Sequence, residues 1–322
     1  MPMITASAAG AGKGKAKTDA AAAPAGPYDP STQQGYRAEE VKKMEAALPT
    51  EAYAKPAKPR KLLVYVESKG FYHDSIPLIA ATIKAMGDKL QTWETTFSND
   101  PAAFTPETLA KYDGVFMDNT VTESPSSEEG RKALLDYVKS GKGFMGCHAG
   151  ADCNHKWAEY ADLIGGEFVG HVWGEPKASI RNEDPKHPLC VMFPKEGFTD
   201  QEEYYTFGKP TQQKPQGYSR DKLHVLLSID CPTSKLDPNK GQQKDGDYAI
   251  SWIHKYGEGR VFYTAYGHRH EQFWSAPILK HFLAGIQYAL GDLKADDTPS
   301  GKKDWKSISG PAIDTPVINP VK

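Results

Sequence analysis

Three histidines stand where short apolar runs give way to small, turn-forming residues. His73 lies in Gly70-Phe71-Tyr72-His73-Asp74-Ser75-Ile76, and His148 in Gly146-Cys147-His148-Ala149-Gly150-Ala151-Asp152. His268 follows the run Gly259-Arg260-Val261-Phe262-Tyr263-Thr264-Ala265-Tyr266-Gly267. Imidazole titrates near neutrality and is the commonest metal-binding side chain, so each position could hold a base or a ligand. The second motif has the outline of a nucleophile elbow, a sharp strand-to-helix turn flanked by small residues. A histidine at its centre is a poor substitute for the Ser or Cys of acyl transfer, but it suits metal ligation or general-base work. Cys147, one step earlier, is expected to pack inward, because strand side chains alternate. The plainer readings are a helix cap at Asp74 or Ser75 with a solvated His73, and a hydrogen-bonded His148 in a tight turn. Three histidines at three separate strand ends are harder to read that way than any one of them.

Two further segments could complete a site. Gly165-Gly166-Glu167-Phe168-Val169-Gly170-His171-Val172-Trp173 projects His171 from a glycine-rich loop. Phe198–Tyr205 is most simply a solvated charge run. In an extended chain, however, it puts Glu203 and Tyr205 on one face and Glu202 and Tyr204 on the other. A carboxylate beside a phenol suits metal or sugar contact. His187-Pro188 reads as a turn. Arg269, His270 and Glu271 either extend the site or sit on the surface.

The elements that must carry these residues can be read from periodicity. Leu62–Val66, Leu90–Phe97, Tyr112–Met117 and Gly143–Cys147 read as strands. Helical spacing covers 75–89, with Ile76, Ile79, Ile83 and Met86 on one face, and a second helix opens at Ser126 or Ser127. The alternation predicts a mostly parallel sheet covered by helices. In such a sheet, ligands bind beyond the carboxyl ends of the strands. Further strands are expected at 177–181, 204–207, 225–229, 249–254 and 260–266, with helices at 157–164 and 277–290. Residues 208–247 read as holding a long surface insertion.

The 322-residue length sets a prior of about two domains at roughly 150 residues each. The periodic segments reduce this to one body, residues 61–293. Residues 1–60 are expected to be a flexible arm and linker, with one helix over 36–48 that puts Val41, Met44, Ala47 and Leu48 on one side, and 294–322 a tail. The net charge of −2 argues against a nucleic-acid binder. No apolar run of about 18 residues marks a spanning helix. GxGxxG and Walker A patterns are missing, so no nucleotide cofactor is expected. Cys147, Cys153, Cys190 and Cys231 match no zinc or redox spacing and read as reduced, mostly buried thiols. Compartment, cytoplasmic or periplasmic, stays open, as does assembly into a homo-oligomer.

GFYHDSI, GCHAGAD, GGEFVGH, QEEYY and GRVFYTAYGH, in that order, resemble the ThuA-like (trehalose utilisation) family across 61–292. The resemblance implies the flavodoxin-like three-layer α/β/α fold of the class I glutamine amidotransferase-like superfamily. It places the family's motif positions on His73, His148, His171, Glu203, Tyr205 and His268. The superfamily's cysteine nucleophile would fall on His148, which argues against glutaminase chemistry. The family's association implies a carbohydrate substrate, with 3-keto-glycosides and trehalose-type disaccharides foremost. On this reading His148, His171 and Glu203 are candidate ligands for a divalent Zn or Mn ion, a donor set suited to either. His148, His73, Tyr205 and His268 are candidate catalytic groups, and Trp157, Trp173 and Asp152 candidate substrate contacts. Trp252 reads as core. The alternative is a non-catalytic carbohydrate-binding or scaffold domain that has lost the nucleophile.

Overall fold

Runs of four or five buried residues, too short for helices, alternate with amphipathic helices and so stack into a covered sheet. The computed structural model describes residues 28–209 and 216–303. Its first half runs α1 (Ala38–Ala47), β1 (Lys61–Tyr65), α2 (Ile76–Leu90), β2 (Glu94–Ser98), α3 (Pro106–Leu109), β3 (Gly114–Asp118), α4 (Glu128–Lys139), β4 (Gly143–Cys147) and α5 (Ala158–Ile164). Then come β5 (Glu167–Gly170), β6 (Lys177–Asn182), β7 (Phe198–Gln201), β8 (Thr206–Gly208), β9 (His224–Ile229), α6 (Cys231–Ser234), β10 (Ala249–Tyr256), β11 (Gly259–Thr264) and α7 (Ala276–Ala289).

Nine strands form one sheet in the order β2-β1-β3-β4-β11-β10-β9-β6-β7. The first five are mutually parallel, as the periodicity predicts. β10, β9, β6 and β7 continue it as an antiparallel wing. Strand alternation sends neighbouring side chains of β11 to opposite faces. Phe262 packs on Phe282 of α7, while Tyr263 packs on Trp252 and Phe207. On that second face, Phe144 of β4 meets Tyr160 of α5. Helices therefore cover both faces of the parallel region, giving the flavodoxin-like three-layer architecture. Trp252 is fully buried in the core. All four cysteines are free and buried. Among the described residues no helix is long and apolar enough to cross a membrane.

Two short strands, β5 and β7, fall where only loops or charge runs were expected. β5 pairs with β8 in a separate two-stranded ribbon, and β7 is an edge strand, so neither needs a long apolar run. Ser127 caps α4 by accepting from the Gly130 N–H at 3.0 Å. Ser75, which the plainer reading offered with Asp74 as a helix cap, stands at the start of α2 but makes no side-chain cap bond and instead donates to the Gly267 carbonyl at 2.6 Å.

Residues 28–60 differ from the expected loose arm. Met44 of α1 is fully buried, and Leu48 nearly so. The Gln287 amide oxygen accepts from the Tyr53 and Ala54 N–H groups at 2.9 and 3.2 Å. The Arg60 guanidinium closes on Asp292 through its Nε and Nη2, at 3.0 and 2.6 Å. Composition failed to show this because the acceptors belong to the far end of the chain. The start of the expected tail is held too: Thr298 O lies 2.7 Å from His224 Nδ1, and the Ser300 N–H donates to Leu223 O. The rest of the expected arm (1–27), of the insertion (210–215) and of the tail (304–322) lies outside the described residues.

Candidate metal centre

Parallel strands β1, β3, β4 and β11 end side by side, so the segments leaving them share one crevice. The β1 segment carries His73, β3 is followed by Asn119, β4 by His148, and the β11 segment carries His268. Asn119 ties three of these together. Its Nδ2 donates to Ser75 Oγ at 3.1 Å and to Gly267 O at 3.0 Å, and its Oδ1 accepts from the Ala149 N–H at 3.0 Å. His148 has φ 39°, the left-handed conformation that a non-glycine residue adopts only when its surroundings impose it. Those surroundings include the Tyr263 hydroxyl, which donates to His148 O at 2.8 Å. Gly267 completes the turn at φ 148°, where an added Cβ would lie 2.9 Å from His148 Cβ.

One ligand atom from each of His73, His148, Glu203 and His268 falls within a mutual 4.8 Å. Glu203 Oε2 stands 3.3 Å from His148 Nε2 and 3.4 Å from His268 Nδ1. Neither contact has hydrogen-bonding geometry. His73 Nδ1, His148 Nε2 and His268 Nδ1 are all buried without a hydrogen-bond partner among the described residues. The opposite ring nitrogens of two of them are engaged. His148 Nδ1 is 3.1 Å from Ala265 O, which fixes the proton there and leaves a lone pair on Nε2. His268 Nε2 is 3.4 Å from Glu175 Oε1, which leaves Nδ1 facing the cluster.

Burial, reinforced by His148 and His268 close by, drives the His73 pKa down to about 2. Burial also holds His148 well below the ordinary histidine range. Both rings are neutral near pH 7, the state that metal ligation requires. Orphaned lone pairs beside a carboxylate are the donor set of a divalent cation, so the residues present fit Zn²⁺ or Mn²⁺. Cys147 offers no alternative nucleophile. Burial and the neighbouring Asp118 push its thiol well above the ordinary range.

Other expected residues take these places. His171 is half-exposed, with Nδ1 3.2 Å from the second Glu203 oxygen, outside the four-residue cluster. Tyr205 lies against His148 with ring centroids 4.1 Å apart, and Phe168 lies 4.1 Å from Tyr205 on its other side. Asp152 Oδ1 is 2.7 Å from His155 Nε2. Trp157 rests on Tyr160 and receives the Arg131 guanidinium. A cavity of about 10 Å³ beside it, with His155 and Glu167, is no larger than one water. Trp173 donates to Asp237 O and packs edge-on against Tyr248.

A sequence model of the ThuA family, described as trehalose utilisation, matches residues 61–289. The chain belongs to the ThuA family. Its fold is similar to two solved ThuA-like proteins. The first, from Bacteroides uniformis, is 23% identical with a TM-score of 0.56, covering 74% of this chain and 94% of that one. The second, from Parabacteroides merdae, is 16% identical with a TM-score of 0.52, covering 77% and 99%. No curated protein matches the chain. The family implies a carbohydrate-related function.

Three residues that were not among the expected site residues line the crevice. Asn119 had one signal, a polar residue ending an apolar strand. Glu202 is fully buried, and its carboxylate accepts from the N–H groups of Glu203 (2.7 Å), Gly267 (3.2 Å) and Arg269 (3.1 Å). It thereby fixes the backbone at Glu203 and on both sides of His268. Phe71 is 66% exposed, yet its ring stands edge-on 4.8 Å from His73.

Proposed function

We propose that this crevice is a divalent-metal centre acting on a carbohydrate, with a 3-keto-glycoside or related trehalose-type disaccharide as substrate. The observation that carries the reading is the convergence of three partnerless ring nitrogens on the Glu203 carboxylate. Family membership supports the substrate class. A ketone at C3 acidifies the C2 proton. Loss of that proton forms a C1=C2 bond as the C1–O bond breaks, and the departing oxygen takes up a proton. His73, His148, His268 and Glu203 would hold Zn²⁺ or Mn²⁺, which supplies charge stabilisation at the keto oxygen.

The remaining groups would bind substrate and move protons. His171, half-exposed on the far oxygen of Glu203, is the imidazole placed to carry the C2 proton. Burial pushes the Tyr205 phenol well up, so it stays protonated and donates a hydrogen bond to a sugar oxygen. Phe71 offers an open aromatic face to the C–H side of a pyranose ring. The aromatic row Tyr205–Phe168–His155 leads to Asp152, which makes this flank the place for a second ring. Trp157 and Trp173, engaged with protein partners, would shape the outer wall.

The test is turnover of 3-keto-trehalose by the metal-loaded protein, the chelated protein, and the variants His148→Ala and Glu203→Ala. The reading expects turnover that chelation removes, that added metal restores and that both variants lack. Full turnover in both variants contradicts it. Tight sugar binding without product favours the non-catalytic alternative.

A further inference from the structure

The family match begins at residue 61, yet residues before it reach the site. Arg37, just ahead of α1, donates through Nη2 to Asp74 Oδ2 at 2.6 Å. Asp74 is the neighbour of His73. The other Asp74 oxygen lies 2.9 Å from His270 Nε2, and His270 Nδ1 lies 2.6 Å from Glu40 Oε2. His270 stands two residues after His268. Arg37 Nη1 closes the ring of contacts at 3.3 Å from Glu40 Oε2. The same Nη1 is 2.9 Å from His270 Nδ1, but an Nδ1 proton given to Glu40 leaves no lone pair there, so that approach is packing alone.

The backbone of this segment is equally close. At Gly35, φ 89°, an added Cβ would lie 2.3 Å from Asp74 O. The Tyr72 hydroxyl donates to Gln34 O at 3.0 Å. Buried Met44 and Leu48 anchor α1 behind these contacts. The two site-bearing segments on either side come from different parts of the chain, and the rings of His73 and His268 stand 5.5 Å apart.

We infer that Arg37 and Glu40 form a positioning clamp, which joins the Asp74 and His270 segments and so sets the spacing of His73 and His268. The inference rests on the metal reading above. Arg37 and Asp74 are each about half exposed, so the clamp adds little to global stability. Its effect belongs in ligand geometry, where groups behind the ligands typically change metal affinity by about 10–100-fold.

The experiment uses the full chain with Arg37→Ala, Arg37→Lys and Glu40→Gln. Lys42→Ala serves as control, because Lys42 pairs with Glu39 on the exposed side of the same helix. Zn²⁺ affinity is read by competition with a chromophoric chelator, melting temperature on the apoprotein, and backbone hydrogen exchange over 70–75 and 265–271. Arg37→Ala and Glu40→Gln are expected to weaken zinc by about 10–100-fold with little change in melting temperature. They should speed exchange in both segments, and Arg37→Lys should recover part of the loss. Wild-type zinc affinity together with unchanged exchange in Arg37→Ala overturns the clamp. Failure of the wild-type protein to bind zinc overturns the metal reading, and exchange then decides separately whether the two segments are joined through Arg37.

Discussion

Two sets of histidines with buried ring nitrogens differ in what faces those nitrogens. In the core, His281 of α7 has Nδ1 2.7 Å from Leu189 O and Nε2 2.8 Å from Ser251 Oγ. His254 of β10 has Nε2 3.1 Å from Leu163 O and Nδ1 2.9 Å from Lys255 O. In the crevice, His73, His148 and His268 each keep one buried nitrogen that no hydrogen bond uses. An unsatisfied buried polar atom costs about 1–3 kcal/mol. Three of them gather at one point beside the Glu203 carboxylate, and the proposed metal would satisfy all three. Burial lowers the pKa of His73 and His148 as it lowers those of His254 and His281; a buried ring nitrogen with no hydrogen-bond partner is what distinguishes the crevice from the core.

The sharpest way to break that comparison is to remove one residue from each set. His148→Ala or Glu203→Ala is expected to weaken Zn²⁺ binding roughly 1,000-fold, one ligand's share of a four-ligand site. His281→Leu should leave zinc affinity unchanged while lowering stability. Chelator competition on the three variants decides, and equal losses would erase the distinction.

Acid tests the core set next. Burial lowers the pKa of both His254 and His281 to about 4, against 6.5 unfolded. Between those values the unfolded chain binds more protons, so stability present above pH 6.5 is lost as pH falls towards 4. The loss is about 3 kcal/mol per core histidine. Urea midpoints at pH 7 and pH 4.5 should therefore converge more in His281→Leu than in the wild type, and an identical pH dependence would contradict the assignment.

Gly267→Ala bears on the crevice alone. It places a Cβ 2.9 Å from His148 Cβ at a left-handed φ, so we expect a cost of about 1–3 kcal/mol together with weakened zinc binding. Thermal melts and chelator competition check both parts, and unaltered zinc affinity would show that His148 is not held by this turn. The smallest effect is expected at Phe71. Phe71→Ala removes a side chain that is 66% exposed, so melting should not change while sugar affinity falls by about 1 kcal/mol. Calorimetry with the keto-sugar reads it, and unchanged affinity would move the sugar's approach elsewhere.

Much of the parallel region was legible because each strand is a short buried run and each helix has one apolar stripe. β1, β3, β4, α2 and α7 all fall where periodicity places them, within a few residues. The alternation argument also separated the two acids: Glu203 reaches the histidines, while Glu202 turns to the backbone. Sequence could not show that His73 and His268, nearly two hundred positions apart, stand with rings 5.5 Å from each other. That closeness follows from strand order, which depends on how the chain crosses the sheet. The packing of residues 28–60 was hidden for a related reason. The apolar side of α1 could be read locally, but Gln287 and Asp292 capture the rest of that segment through polar contacts from the far end of the chain, which leave no trace in its local hydropathy. Phe71 was missed because exposure is a property of the folded surface, and a phenylalanine near a strand end reads as core.

The central claim is that the four converging side chains hold one divalent metal. X-ray absorption at the zinc edge of protein loaded with one equivalent of Zn²⁺ tests it most directly. The account predicts a first shell at roughly 2.0–2.1 Å with imidazole scattering from three histidines, reduced to two in His148→Ala. A shell of oxygen alone, or one that His148→Ala leaves unaltered, would contradict it.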